Sequence, residues 1–126
     1  MVNWTAVAIG FVVTVILETI GIMFISLDAA VSAFISVFAP IIGGLLAAYW
    51  GTATYKDGII NGGLAGGLGS LLAAIIFIPG TLTFIAENAV ISFISSAILG
   101  IIGGLVGILA RGKPQGKETS PQKPDT

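Results

Sequence analysis

Apolar residues run along this chain in four long blocks, residues 4–25, 30–50, 59–79 and 89–110. Each is interrupted only by glycines, small polar residues, prolines and a single carboxylate, Glu18. A helix needs about 20 mostly apolar residues to cross the hydrocarbon of a bilayer. Each block therefore predicts a spanning helix, and the short gaps between blocks predict antiparallel hairpins. After residue 110 the pattern stops, in "RGKPQGKETSPQKPDT", with three prolines and no apolar run. Residues 111–126 are expected to be a disordered cytoplasmic tail behind a four-helix transmembrane domain over 1–110.

Within the blocks a second pattern recurs. "DAAVSAFIS" at 28–36 aligns with "ENAVISFIS" at 87–95, and "IIGGL" at 41–45 returns at 101–105. Asn3 and Asn61 open the two halves. Matched helices are two spans apart, so the expected fold is an all-α membrane protein of two repeated antiparallel hairpins. This is a parallel 2+2 repeat about an axis along the membrane normal.

Glycine is spaced as deliberately as the apolar residues. In "IINGGLAGGLGS" (59–70), Gly62 and Gly66 continue a four-residue step that begins at Gly58. Gly43 with Ala47 and Gly51, and Gly100 with Gly104, carry similar stripes on the second and fourth blocks. A phosphate loop would need G-x-G-x-x-G or G-x-x-x-x-G-K-[ST] between strand and helix. The nearest approach, from Gly107 to Lys113, has Pro114 where the hydroxyl should stand. Nucleotide binding is rejected. A linker would leave Leu64, Leu68, Leu71 and Leu72 in water. The spacing fits close helix crossings, where removal of side chains lets backbones touch in lipid. Gly43, Gly58, Gly62, Gly66, Gly100 and Gly104 are the expected packing positions. Such stripes serve either one bundle or a homo-oligomer or larger membrane complex.

Composition agrees with a bilayer as the solvent. Charged residues are 9% of the chain, hydrophobic residues 56%, and mean hydropathy is +1.07. A soluble domain carries about 25% charged residues. Net charge is −1, which points to no nucleic-acid partner. With no cysteine and no histidine, the chain has no disulfide, thiolate or imidazole chemistry, and neither a metal site nor a cofactor is expected. The first block lacks a basic n-region and is too long for a secretory signal, so it reads as a retained span. All five basic residues (Lys56, Arg111, Lys113, Lys117 and Lys123) fall on the side shared by both termini. The positive-inside rule places that side in the cytoplasm, in a multi-pass protein of the cell membrane. Trp4, Tyr49, Trp50 and Tyr55 sit at the same boundary.

Candidate chemistry is confined to one region. Asn3, Ala6, Gly10, Thr14, Glu18 and Gly21 follow helical spacing and form one small or polar stripe. Glu18 lies about 10 Å from the outer end of its helix. Ser36 on the second block and Ser95, with Ser92 and Ser96, on the fourth share that depth. A charged carboxylate buried there costs several kcal/mol, which makes an intramembrane acid a functional candidate. Glu18, Thr14, Ser36 and Ser95 are the candidate proton or ion site. The structural alternative is a neutral Glu18 hydrogen-bonded to a serine. Asp28 and Glu87 are expected to cap helix starts, Pro40 to kink the second helix, and "YKDG" at 55–58 to form a turn.

The stretches "VNWTAVAIGFVV" and "IIGGLLAAYWGTATYKDGIINGGLAGGLGSLL" resemble a family of small four-span, glycine-rich membrane proteins found mainly in archaea. That resemblance implies the topology and an archaeal source. It implies no activity and transfers no site residue. The expected function is a glycine-packed structural, assembly or accessory membrane component, with a proton or cation channel or carrier centred on Glu18 as the alternative. An enzyme is not expected, because Glu18 and serines without histidine or a nearby lysine supply no nucleophile–base pair.

Overall fold

The structure, a computed structural model, describes residues 2–51 and 54–112. These form four helices: α1 (Trp4–Phe24), α2 (Ala29–Gly51), α3 (Tyr55–Phe77) and α4 (Leu82–Arg111). All four are long and apolar enough to cross a membrane. The expected tail lies, but for its first two residues, outside the described residues.

Helix starts are fixed by one side-chain amide, one carboxylate and two hydroxyls. Asn3 caps α1 by accepting from the Ala6 N–H at 3.2 Å. Asp28 accepts from the N–H groups of Ala30 (2.9 Å) and Val31 (3.2 Å) at the start of α2. Thr54 accepts from Asp57 N–H at 3.2 Å, so α3 begins at Tyr55 and "YKDG" is its first turn rather than a separate loop. The acid at Asp57 suits the positive end of the helix dipole. Glu87 is not a cap. Thr81 holds that place, accepting from Phe84 N–H at 3.3 Å, and Glu87 is an exposed residue in the second turn of α4. Gly80, with φ of 150°, and Pro79 break the chain just before this cap. The helix thus starts seven residues before the apolar block, yet its first buried residue is Ala89. α2 continues through Pro40 as one helix.

The interior is built of small residues. Its buried apolar side chains are alanines plus Val7 and Ile108, while Phe34, Ile76, Ile94, Leu109 and many other large apolar residues face outward. The largest fully buried side chains are Asn61, Thr14 and Pro40. Lipid tails are as apolar as leucine, so large side chains gain little by turning inward and close backbone approach sets the packing. A Cβ on Gly43 would stand 2.6 Å from the Gly10 carbonyl oxygen, and one on Gly62 would stand 2.9 Å from Gly104 Cα. Gly44 meets the Gly100 carbonyl, and Gly103 meets that of Ile41.

These approaches also define the arrangement. Along α1 and α2, Asn3 faces Gly51, Gly10 faces Gly43 and Gly21 faces Ser36; along α3 and α4, Gly58 faces Ile108, Gly62 faces Gly104 and Gly67 faces Phe93. α1 also touches α3, and α2 touches both α3 and α4, whereas α1 and α4 do not meet among the described residues. A two-fold axis along the membrane normal that exchanged the halves would pair the α2–α3 contact with an α1–α4 contact. That symmetry is therefore broken, and the halves lie side by side.

Candidate functional site

Below its cap, α1 turns Gly10, Thr14, Glu18 and Gly21 toward the bundle, all of them buried. Near the end of the bundle that carries Asp28, Glu18 meets α3. Ser70 Oγ donates a hydrogen bond to Glu18 Oε1 at 2.6 Å, joining residues 52 positions apart. Around this pair the four helices leave a cleft of about 400 Å³. Ser36 from α2 and Ser92, Ser95 and Ser96 from α4 line it with Glu18 and Ser70, and Val37, Ala73 and Leu99 are among its apolar wall. Among the described residues Glu18 is the only ionisable one of the lining.

Glycines close the cleft toward the chain termini. A Cβ on Gly66 would lie 2.8 Å from the Ser96 carbonyl oxygen, 3.0 Å from Gly100 Cα and 3.1 Å from Pro40 Cβ. Three helices therefore meet at Gly66, and the bundle is tightly packed beyond it. Gly58, Gly62, Gly100 and Gly104 continue this crossing between α3 and α4, and Gly43 sits in the crossing of α1 and α2.

Of the residues proposed for an ion site, Glu18, Ser36 and Ser95 come together at the cleft. Thr14 does not. It is fully buried one turn deeper, its Oγ1 donates to the Gly10 carbonyl at 2.9 Å, and its side chain fills the space beside Gly43 and Gly69. Back-bonding of this kind to the residue one turn before uses a hydroxyl locally. Ser70 is the member that sequence reasoning missed. Its signal lay in the glycine run itself, because Gly58, Gly62, Gly66 and residue 70 recur at one helical step, with a serine as the fourth member.

A second polar contact lies near the other end. Asn61 is fully buried on α3, and its Oδ1 accepts from the backbone N–H of Asn3 at 3.1 Å. Asn61 Nδ2 has no hydrogen-bond partner among the described residues. This contact ties the start of α1 to α3.

The family model that matches residues 4–110 is that of DUF5518, a family of unknown function. The chain belongs to the DUF5518 family. No curated protein and no solved structure matches it. The DUF5518 match takes in Glu18, Ser70 and the other hydroxyls, so the whole cleft lies within the matched segment. It brings no activity with it, and function has to be argued from the cleft.

Proposed function

We propose that this DUF5518 protein handles protons or small cations at a cleft that opens to the outer face of the membrane, with Glu18 as the binding group. The observation that carries this reading is the cleft, in which Glu18 stands with four serines besides the one that it bonds, Ser70; the hydrogen bond alone would serve a purely structural acid equally well. An acid inside a membrane bundle is costly and faces a cavity or a partner; Glu18 has both. Orientation rests on the basic residues, with Lys56 and Arg111 at the end opposite the cleft and both termini in the cytoplasm. Two antiparallel hairpins account for the order of contacts along α1–α2 and α3–α4. The reading is of a non-enzyme, because a serine hydroxyl beside a carboxylate, in a chain without histidine, makes a weak nucleophile.

A second reading, a structural or assembly component in a homo-oligomer or larger complex, is favoured by the density of glycine crossings. Those crossings are taken up within one chain, so the stripes leave little for a partner, and any assembly would use the exposed apolar faces. Flux of protons and small cations in liposomes separates the two. Ion handling predicts a wild-type flux that Glu18→Gln abolishes. Equal, negligible flux in both proteins would refute it and leave the structural reading.

A further inference from the structure

The cleft gathers the oxygens of Glu18 and five serines within an otherwise apolar wall, and Pro40 adds to that set. A proline has no N–H, so in a helix the carbonyl four residues earlier loses its donor. Here that carbonyl belongs to Ser36, a residue of the cleft wall. Ser36 also approaches α1 closely, since a Cβ on Gly21, three residues beyond Glu18, would lie 3.2 Å from Ser36 Oγ. Ser36 thus brings a hydroxyl to the side of the cleft nearest Glu18, and its carbonyl is the one that Pro40 deprives of a helical donor. Carboxylate, carbonyl and hydroxyl oxygens are hard ligands that suit alkali and alkaline-earth cations.

Charge then selects among the cations. The single carboxylate of the lining balances one positive charge. A divalent ion would leave a net charge of +1 in the bundle, which the low dielectric penalises. Among the described residues no group of three acidic, histidine or cysteine side chains offers a divalent site. We propose that the cleft binds one monovalent metal cation between the Glu18 carboxylate, the Ser36 carbonyl released by Pro40, and the neighbouring serine hydroxyls. The inference rests on the ion-handling reading of the cleft and narrows its cargo from protons or small cations to an alkali cation.

The test is equilibrium binding of ²²Na⁺ to the full chain in nanodiscs, with choline holding the ionic strength constant and Li⁺, K⁺ and Ca²⁺ as competitors. Saturable binding of one Na⁺ per chain is expected, displaced by another alkali cation more readily than by Ca²⁺. Glu18→Gln should lose it. Pro40→Ala returns an N–H to residue 40 and keeps the Cβ that packs on Gly66, and its helicity, measured alongside, checks that the fold is kept. It should weaken Na⁺ binding by about tenfold or more, the least that disturbing a metal's shell costs. Undiminished binding in Pro40→Ala, or tighter binding of Ca²⁺, would overturn the inference. Proton flux that needs Glu18, without Na⁺ binding, would overturn it and leave the ion-handling reading standing. Absence of both flux and binding would remove both.

Discussion

Gly66 and Gly63 stand three residues apart on α3, yet their substitution by alanine should have opposite effects. At Gly66 the new methyl would meet the Ser96 carbonyl at 2.8 Å, Gly100 Cα at 3.0 Å and Pro40 Cβ at 3.1 Å. None of these atoms can rotate away, so both α2 and α4 must shift. Overpacking a tight site costs about 1–3 kcal/mol, and replacing glycine with alanine returns about 1 kcal/mol of helix propensity. With three rigid neighbours the upper part of that cost applies, and Gly66→Ala should lose about 2 kcal/mol. At Gly63 the nearest atoms are Ile101 Cγ1 at 3.1 Å and the Ala97 carbonyl oxygen at 3.6 Å. Only this one side-chain atom must give, by a few tenths of an ångström, and no backbone atom is met closely, so Gly63→Ala should be neutral or gain up to about 1 kcal/mol. The pair should therefore differ by about 2–3 kcal/mol, or roughly 30-fold or more in the unfolding equilibrium. Reversible unfolding in mixed micelles of rising dodecyl sulfate fraction, followed by helicity, reads this directly. Equal midpoints, or Gly66→Ala as the more stable protein, would refute the account of the three-helix junction.

Smaller perturbations test the remaining assignments. Ser70→Ala should lower stability by about 1 kcal/mol in the same titration, and by clearly less in a Glu18→Ala background; an unchanged effect there would mean that the two side chains do not interact. Asp28→Ala should cost about 1 kcal/mol by removing a cap, whereas Glu87→Ala should stay within about 0.5 kcal/mol of wild type; equal losses would contradict the assignment of caps. A membrane-impermeant amine reagent should reach Lys56 only from the cytoplasmic side, and labelling from outside would invert the orientation.

How far the sequence could be read depended on whether a feature was local. The four helices follow from block length and hydropathy alone, and Glu18 stood out as the lone carboxylate within a block. The start of α4 did not follow from hydropathy, because a helix begins where a hydroxyl can cap it, at Thr81, and not where the residues become apolar. Thr14 and Ser36 were indistinguishable in sequence as hydroxyls on inward stripes. Helical spacing gives the face of a residue but not what its hydroxyl bonds, and Thr14 bonds its own helix at Gly10. Ser70 was hidden by its setting, since a glycine run reads as pure packing although its last member carries a hydroxyl. The mutual placement of the two hairpins depends on contacts between distant segments. The matched sequence halves suggested a symmetry that the α2–α3 contact, without an α1–α4 counterpart, breaks.

The central claim is a polar cleft open to the side of the membrane opposite Lys56 and sealed at Gly66. The chain contains no cysteine, so single cysteines report cleanly. Thiols react as thiolates, which form in a hydrated cleft and not in hydrocarbon or a packed interior. With a membrane-impermeant thiol reagent, Ser36→Cys and Ser92→Cys should label from the side opposite Lys56. Lipid-facing Ile94→Cys and buried Ala65→Cys should stay unlabelled from both sides. Silence at residues 36 and 92, or labelling of Ala65→Cys to the same extent, would contradict the cleft and the function built on it.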